Sequence, residues 1–328
     1  MPRLCKTTAL SVFAALIATP ALPTQQQQPQ IVIVSFDGAH DNALWAKSRE
    51  IGERTGATFT YFLSCTFLMT RSQRWSYRAP DNKSGRSNVG FADSPAEVRA
   101  RLGHIWSARN EGHEIASHAC GHFDGGEWSE NDWKVELAAF SSTLENAWAN
   151  ADAKGEEPEG WRQFVRTDIN GFRAPYLSTS SGLTPALKSA GYTYDASGIS
   201  RGPKAPRRGK GLSAFDLPLI PEGPQNRRII AMDYNMFVRH SAGVEDASNS
   251  QYYEERAYSA FRTAFDREYD GSRQPFQIGL HFVEMNGGAY WRATERLLSD
   301  VCGREDVACV SYEMALDMLD KAKKGGGA

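Results

Sequence analysis

The chain has almost no charge imbalance. Its 328 residues carry 37 Lys and Arg against 39 Asp and Glu, a formal net charge of −2. That excludes the basic excess with which nucleic-acid binders neutralise phosphates. Cysteine and histidine are scarce, at five and seven, so each clustered one is worth following. Beyond the first segment no run is apolar over the roughly 20 residues that a spanning helix needs, which predicts a soluble mature chain with no membrane span. No composition break marks a linker, which favours one large domain over two small ones.

The first residues read as a secretory signal peptide over 1–21. Arg3 and Lys6 form a basic start, Ala9 to Ala18 an apolar run too short to span, and Thr19-Pro20-Ala21 a small-residue cleavage site. Residues 22–30, rich in Gln, read as a flexible mature N-terminus. Removal of Cys5 leaves Cys65, Cys120, Cys302 and Cys309, and an exported protein favours disulfides among them. The expected pairs are Cys302–Cys309, closing a tight loop, and Cys65–Cys120, each of which follows an apolar run.

From Ile31 onward β-branched runs alternate with amphipathic stretches. Ile31 to Phe36, Thr58 to Ser64, Glu114 to Ser117, Gly171 to Arg173, Tyr192 to Tyr194, Ser213 to Leu217, Arg228 to Met232, Phe276 to Phe282 and Val307 to Ser311 read as extended. Helices are predicted over about 42–54, 94–110, 131–149, 184–191, 251–267, 289–300 and 312–321. Ser94-Pro95-Ala96-Glu97 forms a capping box with Pro at the first helical position. Strands alternating with helices predict a parallel sheet with helices outside. The expectation is a single barrel-like α/β domain of about seven units over 31–320, followed by a disordered tail over 321–328.

In such barrels chemistry sits at the ends of the strands. Those ends carry Asp37, His118 with His122, Arg173 with Tyr176, Asp195, Asp233 and His281. Two imidazoles, carboxylates, a guanidinium and a separate histidine form a set suited to metal-assisted hydrolysis.

The order of these segments resembles the polysaccharide deacetylase family, carbohydrate esterase family 4, the NodB homology domain. Ser35-Phe36-Asp37 resembles its first motif, Thr-Phe-Asp-Asp-Gly, and Ser117-His118-Ala119-Cys120-Gly121-His122 its second. Arg173-Ala174-Pro175-Tyr176 resembles the third, Tyr194-Asp195 stands at the fourth, and Leu280-His281 at the fifth. The resemblance spans about Ile31 to Asp320 and implies an α/β fold, a distorted (β/α) barrel of about seven units, that removes N- or O-acetyl groups from a glycan, with export expected from the signal peptide. It implies a divalent metal, with Zn²⁺ favoured by ligand type, held by His118, His122 and Asp37. His281 would protonate the leaving group, Arg173 would orient the base carboxylate, and Asp195 would support Arg173. Tyr176 and Trp291 are the expected substrate contacts.

One position departs from the motif. Gly38 stands where the family has its second aspartate, so Asp37 is either the base or the metal ligand. Asp41 is a second oxygen source or a helix cap, and His40 an alternative ligand. The departure also motivates a non-catalytic glycan-binding protein of the same fold. A hydrolase acting on another amide, such as a cyclic imide or ureide, is a further alternative.

Overall fold

A computed structural model describes residues 1–2 and 28–325. All but the first two residues of the signal segment, much of the 22–30 stretch and the last three residues of the tail lie outside the described ones.

The strands are β1 (Gln30–Gly38), β2 (Thr60–Leu63), β3 (Glu114–Ser117), β4 (Gly171–Phe172), β5 (Tyr194–Ser200), β6 (Arg207–Gly209), β7 (Leu212–Glu222), β8 (Arg227–Ile230), β9 (Phe276–His281) and β10 (Val307–Cys309). The helices are α1 (Asn42–Thr55), α2 (Pro95–Asn110), α3 (Glu130–Glu145), α4 (Ala147–Asn150), α5 (Trp161–Thr167), α6 (Leu183–Ser189), α7 (Asp233–Ser241), α8 (Ser250–Tyr269), α9 (Met285–Val301) and α10 (Tyr312–Gly325). Short 3₁₀ turns fill parts of the loops, among them Cys65–Leu68 and Pro175–Leu177.

The sheet runs β10-β1-β2-β3-β4-β5-β7-β6, with β9 added on β1 and β8 on β7. Pairing along the β9-β1-β2-β3-β4-β5-β7 arc is parallel throughout. The arc closes loosely where Gly279 N donates to Ala231 O at 2.9 Å and Gln277 Nε2 donates to Asp216 O at 3.0 Å. The result is the distorted (β/α) barrel that the resemblance implies.

β1 is buried on both faces, as a central parallel strand must be. Ile31 and Ile33 point into the barrel with Phe62, Tyr194, Phe215 and Tyr312. Val32, Val34 and Phe36 point outward to the helices. Beneath the end of β1, Phe36 stacks on Tyr61 at 5.4 Å and lies 4.9 Å from the Trp291 ring, while Trp45 lies 4.2 Å from Tyr61. These rings form an apolar floor outside the sheet under the end of β1 that carries Asp37.

Several expectations are corrected. Asp233–Ser241 and Trp161–Thr167 are helices with no sequence forecast, because their apolar faces are too short to show a period. The helix expected over 131–149 breaks after Glu145. The strand expected at Tyr192 begins only at Tyr194 and runs to Ser200. The last helix continues to Gly325, so the described part of the expected tail is helical. Both expected disulfides, Cys65–Cys120 and Cys302–Cys309, are present.

Candidate active site

Parallel register sets Asp37 directly beside His281 across β1 and β9. Asp37 is only 4% exposed. Its Oδ1 accepts from Arg173 Nη1 at 2.7 Å. Arg173 is fully buried, and its guanidinium is held on every side. Nη1 also donates to Ser35 Oγ, Nη2 to Tyr312 OH at 2.8 Å, and Nε to Ala196 O at 3.2 Å. The cation also lies 4.3 Å from the centroid of the Phe62 ring. Burial pushes the Asp37 carboxyl up, but Arg173, His118 and His281 outweigh it and hold it below the ordinary value. Asp37 is thus a fixed, ionised carboxylate.

His118 and His122 leave β3 with ring centroids 5.0 Å apart. His118 Nδ1 donates to Arg173 O at 2.8 Å, which leaves Nε2 with its lone pair free. Burial pushes the His118 imidazole down to about 3 and lowers His122 too, against the pull of Asp37, so both rings are neutral near pH 7. Glu136 on α3 fixes the loop between them. Its Oε1 accepts from Cys120 N at 2.9 Å, from Gly121 N and from Tyr77 OH, and Gly121 N also donates to Tyr77 OH.

His281 is gripped by Asp233, the first residue of α7. Its backbone N donates to Asp233 Oδ2 and its Nδ1 to Oδ1, both at 2.7 Å. Burial works against the charged ring, but Asp233, with a smaller pull from Asp37, lifts it to about 8.

No family model matches the chain, and no curated protein does. Among solved structures, one ascribed to a polysaccharide deacetylase from Mycobacterium smegmatis superposes with a TM-score of 0.55 at 17% identity. It covers 93% of this chain and 96% of that one. Another ascribed to a polysaccharide deacetylase from Pseudomonas aeruginosa PAO1 gives 0.53 at 12% identity, covering 89% and 92%. The chain has the polysaccharide deacetylase fold. At these identities the likeness is one of fold.

Within that fold, Asp37, His118, His122, Arg173 and His281 come together as the sequence predicts. Tyr176 joins them. It is 59% exposed, adopts φ +57°, and meets the His122 ring edge-on at 4.6 Å. Ala39, Ala119, His122 and Leu177 also have positive φ, so backbone strain collects around the site.

Two expected roles are corrected. Asp195 does not bond Arg173; its Oδ1 accepts from Ser197 N at 3.0 Å and from Ser197 Oγ, and that Oγ accepts from Ala174 N. It therefore braces the segment that follows Arg173, while Tyr312 and Ser35 hold the guanidinium itself. Trp291 is 1% exposed and cannot meet substrate; its Nε1 donates to His281 O at 3.1 Å from below. Asp41 is the α1 N-cap, accepting from Leu44 N, and the His40 ring stacks on Phe67. Neither replaces the carboxylate missing at Gly38. Sequence reasoning named Asp233 as a strand end but missed its grip on His281, and missed Tyr312 and Glu136 altogether.

The two imidazoles fit a metal ion: both are neutral, and His122 Nδ1 is buried without a hydrogen-bond partner. A third ligand is not gathered with them, for among the described residues no three His, Cys, Asp or Glu side chains form a metal-holding group. Gly38 adopts φ +90°, where any side chain is strained.

Proposed function

We propose that this protein is an exported hydrolase that removes acetyl groups from an N- or O-acetylated saccharide. The observation that carries this reading is the pairing of an ionised carboxylate, Asp37, with a protonated imidazole, His281, in direct register across β1 and β9. Two titratable groups pushed in opposite directions at one strand end are the signature of base and acid in one reaction.

Arg173 aims the Asp37 carboxylate, which takes the proton of the attacking water. His281, charged at neutral pH and kept in one orientation by Asp233, gives its proton to the departing amine or alkoxide. A divalent metal, Zn²⁺ by ligand type, would be held by His118 and His122 with Asp37 as the nearest carboxylate. When bound it supplies Lewis-acid polarisation of the acyl oxygen. Tyr176, exposed beside His122, covers one face of the sugar. The two disulfides support export to an oxidising compartment, and among the described residues no helix is long and apolar enough to cross a membrane.

The test is acetate release from acetylated chitooligosaccharides, peptidoglycan fragments and acetylxylan, with Asp37→Asn and His281→Ala alongside. Release that persists in both variants overturns the assignment. The missing third ligand favours one rival, a glycan-binding protein without turnover; glycan bound with no acetate released from any substrate selects it.

A further inference from the structure

One stretch of this near-neutral chain is strongly basic. Between Arg201 and Arg239 lie eight Lys or Arg and only three acids, Asp216, Glu222 and Asp233. All three acids are buried at 3% exposure or less, so the surface of this stretch is cationic. Asp216 is taken by Lys204 and Arg207, Glu222 by Arg256 and His240, and Asp233 by His281. Among the described residues Arg201, Arg227 and Arg228 form no ion pair.

The end of this stretch reaches the strand end that carries His281. The hairpin of β7 and β8, paired from Leu219 with Ile230 to Glu222 with Arg227, leads to Asp233 through Met232, which bridges to Gly279 of β9. A groove of about 560 Å³ lies between hairpin and α7, lined by Leu219, Arg228, Ile230, Tyr234 and Val238 among others. A second groove, of about 510 Å³, continues past Arg228 to Arg201 and Arg267. Its one carboxylate, Glu268, accepts from Ser272 Oγ and Gln274 N.

At its inner end Tyr234 is 53% exposed with its ring 6.1 Å from that of His281. Arg239 donates to the carbonyls of Arg227 and Arg228 at 2.9 and 3.0 Å, tying the hairpin to α7. Arg228 uses only Nη1 within the protein, on the carbonyls of Arg201 and Leu219. The rest of its guanidinium faces solvent between the two grooves.

We infer that this groove takes an acidic glycan: Tyr234 stacks on a ring next to the one being deacetylated, and Arg228, with Arg201, binds a carboxylate or phosphate carried further along the chain. A fork of donors on a tethered arginine suits either anion. The inference rests on the deacetylase reading for the placement of substrate, and its test reads binding as well as turnover.

Isothermal titration of the full protein would compare a partially acetylated oligouronate, a phosphorylated oligosaccharide and neutral acetylated chitotetraose of equal length. At least one acidic oligosaccharide should bind more tightly than the neutral one and weaken as salt rises. Arg201→Glu with Arg228→Glu should weaken acidic binding by about tenfold or more, flatten its salt dependence, and leave the neutral oligomer unchanged. Arg228→Gln should do the same in smaller measure, and Lys154→Glu, between α4 and α5, should do nothing. Equal affinity for acidic and neutral chains, or acidic binding untouched by the arginine variants, overturns the inference. Acidic preference without acetate release from any substrate would strike the deacetylase reading instead, and acetate release without acidic preference would strike this one alone.

Discussion

Asp233 holds His281 with both of its oxygens, one on the backbone N and one on Nδ1. The carboxylate therefore fixes the ring's position, its tautomer and its charge together. Asp233→Asn should leave the fold intact yet lower kcat by about 10²-fold or more. His281 is protonated below about 8, so the rate should fall as pH rises through that value. In Asp233→Asn the basic limb should move toward the ordinary histidine value near 6.5. A pH–rate profile for both proteins checks this, and an unmoved limb would remove His281 as the acid.

Arg173 and Asp37 form an ion pair buried at 0% and 4% exposure. Removing one partner strands the other charge. Arg173→Met should cost about 3–5 kcal/mol in urea unfolding, and adding Asp37→Asn should recover part of the loss. Additive effects of the two changes would show that the pair is not coupled.

Metal affinity should follow the histidines and ignore Asp41. His118→Ala and His122→Ala should each abolish tight Zn²⁺ binding in a competition titration. Asp41→Ala should lower stability by about 1 kcal/mol through loss of the helix cap and leave affinity unchanged.

Glu114 is buried in the barrel interior and accepts from Thr60 Oγ1, Tyr194 OH and Glu313 N. Burial raises it to about 7 despite these bonds. The folded state thus holds a proton that the unfolded chain releases near 4.5. The corresponding stability is full below 4.5 and is lost as pH rises through about 7, a change of about 3 kcal/mol. Glu114→Gln should flatten this limb in denaturant titrations across pH.

The Cys65–Cys120 disulfide closes a loop of 55 residues, worth about 4 kcal/mol by the chain-entropy rule. Cys120 stands between His118 and His122. Replacing both cysteines by Ser should lower Tm and weaken metal affinity together, whereas Cys302→Ser with Cys309→Ser should lower Tm only.

What could be read from the chain alone was whatever is local. His118 and His122 share one loop, Arg173 and Tyr176 one turn, and β-branched runs announce the strands whose ends carry them. Partners supplied by distant elements were not legible: Tyr312 for Arg173 and Glu136 for the histidine loop look, in sequence, like ordinary helix residues, and Asp233 reads as a strand end with nothing local to tie it to His281. Asp195 was misassigned because a short carboxylate readily bonds a hydroxyl two residues on, and Ser197 provides one. Trp291 was misassigned because a tryptophan after a glycine pair reads equally as lining or as core, and only packing against Phe36 and Phe282 separates the two.

β1 pairs with β2 on one side and β9 on the other, and its first residues pair with β10. The earliest strand thus waits for two of the latest. During synthesis Asp37 emerges long before His281, and the register that sets them side by side cannot form until nearly the whole domain has been made. Such distant closure is slow, so the two side chains that face each other at these strand ends meet only in a late step of folding.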